Sequence, residues 1–401
     1  MFDVLIVGGG LVGAALACGL RHSPWRVGIV EPRSEYLQGN FGSDMRTSAV
    51  AWGSVLYWQS IGLWQEMLAA GATPMHKIII TDGDAPTTVC LEAKDMGVDA
   101  LGYVVPNQVT LSTLWRTLRS ASNVEIICPA RVTGVELGEA AVQVAVTREG
   151  GTEVLSTKLL VAADGKHSFL REKVGIKTDR RYYDQACVVL RVQIANPHHN
   201  VAYERFRSTG TFAVLPLGDN QCGVVWTVKQ TAVDEVLQLD RETIEAELQR
   251  RFPPPLGKVS LLSPHLTYYT PQWLHAQQYV KHRFLLIGDA AHTTSPLAGQ
   301  GMNLGIRDVA CLRQLLYQAK DPGAPTVLQE YERQRYWDNL GVISLTDFSN
   351  RLFSNELWWC QVIRQVGLNF LHLPLVKQPF MYFMMGMHCA PQYCEKVPAL
   401  S

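Results

Sequence analysis

The chain has 401 residues, 47% of them hydrophobic, which is enough for a sizeable core and too much for general disorder. Its 36 Lys and Arg balance its 36 Asp and Glu, so no net field draws it to nucleic acid or anionic lipid, and no nucleic-acid partner is expected. Charged side chains make up only 18% of the residues, below the roughly 25% usual in domains, which leaves room for an apolar ligand.

Asp3–Val7 is a β-branched run with neither a basic segment nor a small-residue cleavage site, so no secretory signal is expected. Glycines follow at once, then a helical pattern over Leu11–Leu20 and a second apolar strand, Val27–Val30, that ends in Glu31. This is a βαβ opening. Helices are predicted over Leu56–Ala70 and Leu111–Leu118, and strands at Val124–Cys128, Val142–Thr147 and Leu159–Ala163. Cys187–Val228 alternates β-formers with turns at Gly210, Gly218 and Gly223, predicting a largely antiparallel sheet. Phe284–Ile287 reads as a further core strand, and Leu304–Gln318 as the start of a long helix.

From Trp358 to Met387 the chain is crowded with large apolar groups, but Pro374 and Pro379 break it and Lys377 interrupts it. No run reaches the ~18–20 residues of a membrane span. Two fates stay open for this tail: packing on the protein's own domains, or forming a surface for a membrane or a partner. The nine cysteines include no CxxC pair and read as free or buried thiols in a reducing compartment.

Gly8, Gly10 and Gly13 form G-x-G-x-x-G between the first strand and helix. The first glycine permits a tight turn, the second lets backbone approach a pyrophosphate, and the third allows helix–strand packing. The helix N-terminus offers N–H groups and positive dipole to the anion. Glu31, about twenty residues on, is placed to accept hydrogen bonds from ribose hydroxyls. FAD and NAD both use such a loop. Two later motifs decide for FAD. Residues 162–171 run from a strand into Asp164-Gly165, with Ser168 and Arg171 beyond. Residues 287–303 end another strand in Gly288-Asp289, and a turn at Gly299, Gln300 and Gly301 opens a helix. A carboxylate there suits ribityl hydroxyls, and the helix start beside it suits negative charge developing on a reduced isoalloxazine.

These three elements resemble the class A FAD-dependent aromatic hydroxylases, the p-hydroxybenzoate hydroxylase-like enzymes. Within that class, Asp44-Met-Arg46-Thr-Ser48-Ala49 and the run Gly288-Asp289-Ala-Ala-His292 with Pro296-Leu-Ala-Gly299-Gln300-Gly301-Met302-Asn303-Leu-Gly305 resemble the ubiquinone-biosynthesis hydroxylases. The resemblance covers most of residues 1–340. It implies an α/β fold: a Rossmann-like FAD-binding domain (1–75, 101–180, 276–345) interrupted by a β-rich substrate domain (76–100, 181–275), then a C-terminal helical region (346–401). It implies FAD as cofactor and NAD(P)H as transient reductant. The activity implied is hydroxylation, with O₂, of a polyprenylated phenol in ubiquinone biosynthesis.

By the same resemblance Gly8, Gly10 and Gly13 contact the pyrophosphate, Glu31 the adenosine ribose, and Arg46 the pyrophosphate or the flavin's surroundings. Asn107 is the polar residue ahead of a Leu-x-x-Leu helix, although Pro106 stands where an acid is expected. Asp164 lies near the cofactor, Asp289 binds the ribityl chain, and Gly299, Gln300, Gly301, Met302 and Asn303 face the flavin ring. The flavin carries the chemistry, so neither a catalytic side chain nor a metal is required. Bland readings stand beside these: Arg46 as a surface arginine, Asp164 as a turn-former, Asp289 as a strand-end cap, and His292 as a loop-orienting residue rather than a base. At the level of the whole chain, an isoprenoid reductase or dehydrogenase, an ordinary aromatic hydroxylase and a non-catalytic FAD carrier remain alternatives. The expected partners are a lipophilic phenol and a membrane surface or biosynthetic complex, with a homo-oligomer open. The expected placement is cytoplasmic or peripheral at an inner membrane.

Overall fold

A computed structural model describes the chain except residues 42–43, 84–87, 208–209, 264–265, 296–298, 355–356 and 390–401 and the side chain of residue 361. Pro296, Leu297 and Ala298 of the second flavin motif, and the end of the apolar tail with Cys394, therefore lie outside the described residues.

The short apolar runs read from the sequence assemble into one eight-stranded sheet. Its main path runs Val280–Lys281, Phe284–Leu286, Gly151–Ala162, Phe2–Val7, Val27–Val30, Val124–Ile127. The last five of these strands pair in parallel. Helices cover a parallel sheet on both faces, which is why these strands are continuous apolar runs. Leu5, Ile6, Leu159, Leu160 and Val161 are wholly buried. In register, Val7 lies beside both Val30 and Ala162, and Ala162 beside Leu286. The carboxyl ends of four strands thus coincide, and the segments beginning Gly8, Glu31, Ala163 and Ile287 leave the sheet along one edge. Motifs more than 250 residues apart in sequence meet there, at the place where open α/β sheets bind ligands.

Arg131–Leu137 and Val142–Arg148 add an antiparallel ribbon to the first half of Gly151–Ala162. Sequence reading placed only the last third of that long strand, because its first half alternates polar and apolar residues like an exposed hairpin. It missed Arg131–Leu137 for the same reason.

A second eight-stranded sheet runs Val259–Leu261, Gln185–Ile194, Gln221–Lys229, Gly210–Leu217, Val201–Arg207, Lys77–Asp82, Thr88–Glu92, with Thr267–Tyr269 also on Gln185–Ile194. It is antiparallel apart from the parallel pairing of Val201–Arg207 with Lys77–Asp82. One face packs Val188, Leu190, Phe212 and Val224 under Ile244 and Leu248 of the helix Arg241–Arg251.

Three predicted helices change shape. Leu56–Ala70 is two helices, Trp52–Ser60 and Trp64–Ala69, parted at Gly62, whose φ of +72° ends a helical path. The helix drawn over Leu111–Leu118 spans Asn107–Arg119, so Asn107 sits in its first turn rather than ahead of it. The long helix starts at Gln300 and ends at Gln318. It packs on the 29-residue helix Pro325–Phe353. The tail folds into Trp358–Phe370 and Pro374–Met384. Pro374 opens the second of these at a position proline suits, as expected. Pro379 does not break it, contrary to the sequence reading. It forfeits one backbone bond, while Phe380, Met381 and Met385 at that end pack with Val89, Leu91 and Leu101. Among the described residues no helix is long and apolar enough to cross a membrane.

Candidate active site

The glycine loop separates its three roles by geometry. A Cβ on Gly8 would lie 2.3 Å from the Ala163 carbonyl oxygen, and one on Gly13 only 1.9 Å from the Gly8 oxygen. Both positions are closed by packing between loop, helix and sheet. A Cβ on Gly10 would meet nothing nearer than a guanidinium nitrogen of Arg33 at 4.0 Å. Gly10 therefore fronts open space, and it is the N-cap of the helix Leu11–Gly19, which has no side-chain cap and no acid in its first turn. Its first N–H groups are left for an anion.

Gly9, which sequence reasoning passed over, is equally constrained. Its added Cβ would fall 2.5 Å from the Trp115 ring, and Trp115 Nε1 donates to the Gly9 oxygen at 2.9 Å. Glu31 is buried, and its Oε2 accepts Gly9 N–H at 2.7 Å. Its Oε1 accepts the Arg33 backbone N–H at 3.0 Å and Arg33 Nε at 2.7 Å. Arg33 lies over the Tyr36 ring at 4.0 Å and faces the cavity. Glu31 thus braces the loop and holds a cavity arginine.

Arg46 grips Asp44 with two parallel bonds, Nε to Oδ1 at 2.8 Å and Nη2 to Oδ2 at 2.7 Å. Asn107 joins them: its Nδ2 donates to Asp44 Oδ2 at 3.1 Å and its Oδ1 accepts Ser48 Oγ–H at 2.7 Å. Burial would raise the Asp44 carboxyl, but Arg46 and Asn107 outweigh it and hold it below the usual carboxylate range. Arg46 and Ser48 from one stretch of chain and Asn107 from another form one wall.

Asp164 is turned elsewhere. Its Oδ2 accepts Leu170 N–H at 3.1 Å in the first turn of the helix Phe169–Lys173, and burial pushes its carboxyl up. The neighbouring Gly165 and Lys166 line the cavity and Asp164 does not. Arg171, wholly buried, ties this turn to the next motif through Nη1 on the Ala290 oxygen at 2.7 Å and Nη2 on the Lys166 oxygen at 3.0 Å. Asp289 points into the cavity and accepts no hydrogen bond from another described residue. The protein enclosing it raises its carboxyl, against the opposing charges of His292, Arg46 and Lys166.

Gly299 adopts a φ of +59°, and a Cβ there would press within 2.9 Å of the Ala49 methyl. The helix it opens brings Gln300, Gly301, Met302 and Asn303 to the cavity, and a Cβ on Gly301 would make only ordinary contact with the Thr294 methyl at 3.8 Å. Asn303 spends its side chain inside the protein. Its Oδ1 accepts Ala51 N–H at 2.9 Å and Ser54 Oγ–H at 2.8 Å, while its Nδ2 donates to the Ala49 and Gly299 oxygens at 2.8 and 3.0 Å. It pins the helix start to the strand Thr47–Ala51. His292 likewise faces inward, its Nε2 2.6 Å from Asp308 Oδ2. Asp308, Arg335 and Asn339 complete that buried cluster, and no sequence signal marked them.

Gly10, Arg33, Asp44, Arg46, Asn107, Asp289 and Gly299–Asn303 border one cavity of about 860 Å³, while Gly8, Gly13, Glu31, Asp164 and His292 stand behind its walls. Its polar half lies at Gly10, Arg46 and Asp289; its other half is lined by Ile78, Phe206, Phe353, Leu368, Phe380 and Met384. The last three come from the tail. Sequence reading weighed self-packing against an outward surface, and the tail does pack inward while exposing another face. At its end Asp338, His388 and Cys389 meet, but Asp338 already pairs with Arg335 at 2.6 Å and His388 at 2.8 Å, which assigns the trio to anchoring.

The FAD binding domain family matches residues 1–337. Ubiquinone hydroxylase UbiL of Rhodospirillum rubrum is 37% identical over 390 residues, spanning 96% of this chain and 89% of the relative. The 3-demethoxyubiquinol 3-hydroxylase of Escherichia coli is 32% identical over 371 residues, spanning 91% and 93%. Among solved structures, p-nitrophenol 4-monooxygenase PnpA from Pseudomonas putida superposes with a TM-score of 0.78 at 20% identity, covering 96% of this chain and 97% of that one, a likeness of fold.

Proposed function

The chain belongs to the FAD binding domain family, as one of its ubiquinone hydroxylases, and on that premise we propose that it hydroxylates the ring of a polyprenylated phenol. The enzyme is an FAD-dependent monooxygenase. In such a reaction a ring C–H becomes C–OH. One atom of O₂ enters the product, the other leaves as water, and NAD(P)H supplies two electrons. Bound FAD supplies the redox chemistry that passes those electrons to oxygen.

The residues present fit that cofactor. Gly10 fronts open space at an uncapped helix start, and Asp289 offers an unpartnered carboxylate to the same cavity. In this reading Gly8, Gly10 and Gly13 shape the pyrophosphate loop, and Glu31 braces it and takes the ribose hydroxyls with its remaining lone pairs. Arg46, held by Asp44 and Asn107, faces the phosphates or the ring edge. Asp289 accepts the ribityl hydroxyls. The Gly299–Met302 backbone lies along the flavin with its helix dipole, and Asn303 acts as a positioning residue. Asp164 shapes the turn that sets Gly165 beside the cofactor.

The single observation that carries the substrate class is the continuity of the cavity. The space beside the flavin-binding groups opens into an apolar half built by the second sheet and the tail. Each CH₂ buried there contributes about 0.8 kcal/mol, so a prenyl chain dominates binding over the ring's polar contacts. The same walls keep water from the reacting centre. The membrane holds such phenols, which makes a membrane surface the expected contact.

The test is substrate-stimulated NAD(P)H oxidation with O₂ uptake and mass analysis of product. A phenol bearing a prenyl or long alkyl chain should stimulate turnover and gain one oxygen, while p-hydroxybenzoate should hardly do so. Equal rates with both would make the enzyme an ordinary aromatic hydroxylase.

A further inference from the structure

Between Leu357 and Gly386 the chain contains no Asp or Glu, and Arg364 and Lys377 are its charged residues. Both are turned toward the protein. Arg364 is buried, with Nε 3.0 Å from Asp82 Oδ2 and Nη1 on the Leu352 oxygen at 3.1 Å. Lys377 pairs with Asp95. The helices Trp358–Phe370 and Pro374–Met384 therefore invert the usual pattern, with charges inside and bulky apolar groups outside. Trp358 is 75% exposed, Phe370 53% and Leu375 91%, with Val362 and Val366 exposed on the same stretch. An exposed apolar patch of this kind marks an interaction surface.

We propose that this outward face is a lipid-docking surface that lies in the headgroup–acyl boundary and delivers substrate to the cavity; the delivery rests on the lipophilic-phenol reading above, the docking does not. Charge decides the occupant. A protein interface surrounds its apolar centre with a polar, partly charged rim. Here the described residues of both helices turn no charged group outward, which complements a hydrocarbon layer. Continuity supports the same occupant. Ile363, on the helix Trp358–Phe370, is exposed and also lines the cavity, as does Phe348 on the neighbouring helix Pro325–Phe353, so apolar side chains reach from outer surface to interior. No described helix can span a bilayer, so the pair lies on it.

The experiment is flotation of the FAD-loaded enzyme with phosphatidylcholine vesicles in low and high salt, alongside a triple variant, V362S/V366S/L375S. None of these three residues lines the cavity. The parent should float equally with neutral vesicles at either salt, since an uncharged face is not screened. The triple variant should bind roughly tenfold less or weaker still, with unchanged FAD content and circular dichroism. Three results would overturn the proposal: a parent that stays at the bottom of the gradient, a variant that floats as the parent does, or a parent dimer that the triple substitution splits, which would make a second copy the occupant. Flotation needs no turnover, so failure to hydroxylate a prenylated phenol would leave this result readable.

Discussion

His292 and Asp308 form a buried pair with Nε2 2.6 Å from Oδ2, and the same carboxylate oxygen accepts the Gly288 N–H at 3.0 Å. Asp308 Oδ1 accepts Arg335 Nε and Asn339 Nδ2, each at 2.9 Å. Burial would raise this carboxyl, yet His292, Arg335 and Asn339 hold it down at about 2. The pair ties the Gly288-Asp289 turn to the helix that faces the cavity, and His292 itself does not line the cavity.

His292→Ala should therefore behave as loss of one buried hydrogen-bond partner, costing about 1–3 kcal/mol of stability, because Asp308 keeps Arg335, Asn339 and the Gly288 N–H. FAD retention should fall with it. The holoenzyme that remains should keep the parent's pH–rate profile. Loss of one limb of that profile, measured as kcat/KM across pH, would instead make His292 a base.

The two ends of the glycine loop should separate fold from cofactor. Gly13→Ala puts a methyl 1.9 Å from the Gly8 oxygen, so the variant should lose about 1–3 kcal/mol or fail to fold. Gly10→Ala meets nothing within contact distance in the protein. Its apoprotein melting temperature should match the parent while FAD affinity drops. Equal FAD affinity in Gly10→Ala would mean that the pyrophosphate does not approach there.

Asp289→Ala should cost roughly 1–3 kcal/mol of FAD binding, a loss of about fivefold to 150-fold in affinity. Asp289 faces the open cavity of the empty protein and accepts no hydrogen bond from another described residue there, so its truncation removes no contact that holds the fold. The apoprotein variant should then melt no lower than the parent. Acid precipitation should release the flavin from both proteins, and colour left in the pellet would show a covalent attachment instead. A variant that binds FAD as tightly as the parent would remove Asp289 from the ribityl site.

The tail's anchor should respond to alkaline pH. His388 Nε2 lies 2.8 Å from Asp338 Oδ1, and this bond, with Cys389 adding to it, raises the imidazole to about 9. A histidine raised in the folded state contributes stability that is complete below its unfolded value, near 6.5, and is lost as pH rises through about 9. Hydrogen exchange in residues 381–389 should accelerate between pH 8 and 10 beyond the intrinsic chemical rate. His388→Ala should exchange fast throughout and show no such step.

The sequence alone determined the sheet's apolar strands, the glycine loop and the two Asp-bearing turns, because each follows from local chemistry. A β-branched run between breakers is a strand wherever it occurs, and a glycine with no room for a Cβ is needed by its own turn. What Asn303 and His292 do was decided only by tertiary structure. Both look like site residues in a glycine-rich motif, yet four internal bonds engage one and Asp308 holds the other. Gly299 apart, their hydrogen-bond partners lie 16 to 254 residues away and leave no trace in spacing. The tail shows the same division most clearly. Composition marks it as apolar but not which face is covered. Arg364 and Lys377 on its two helices pair with Asp82 and Asp95, residues far upstream, and Trp358, Phe370 and Leu375 are turned outward.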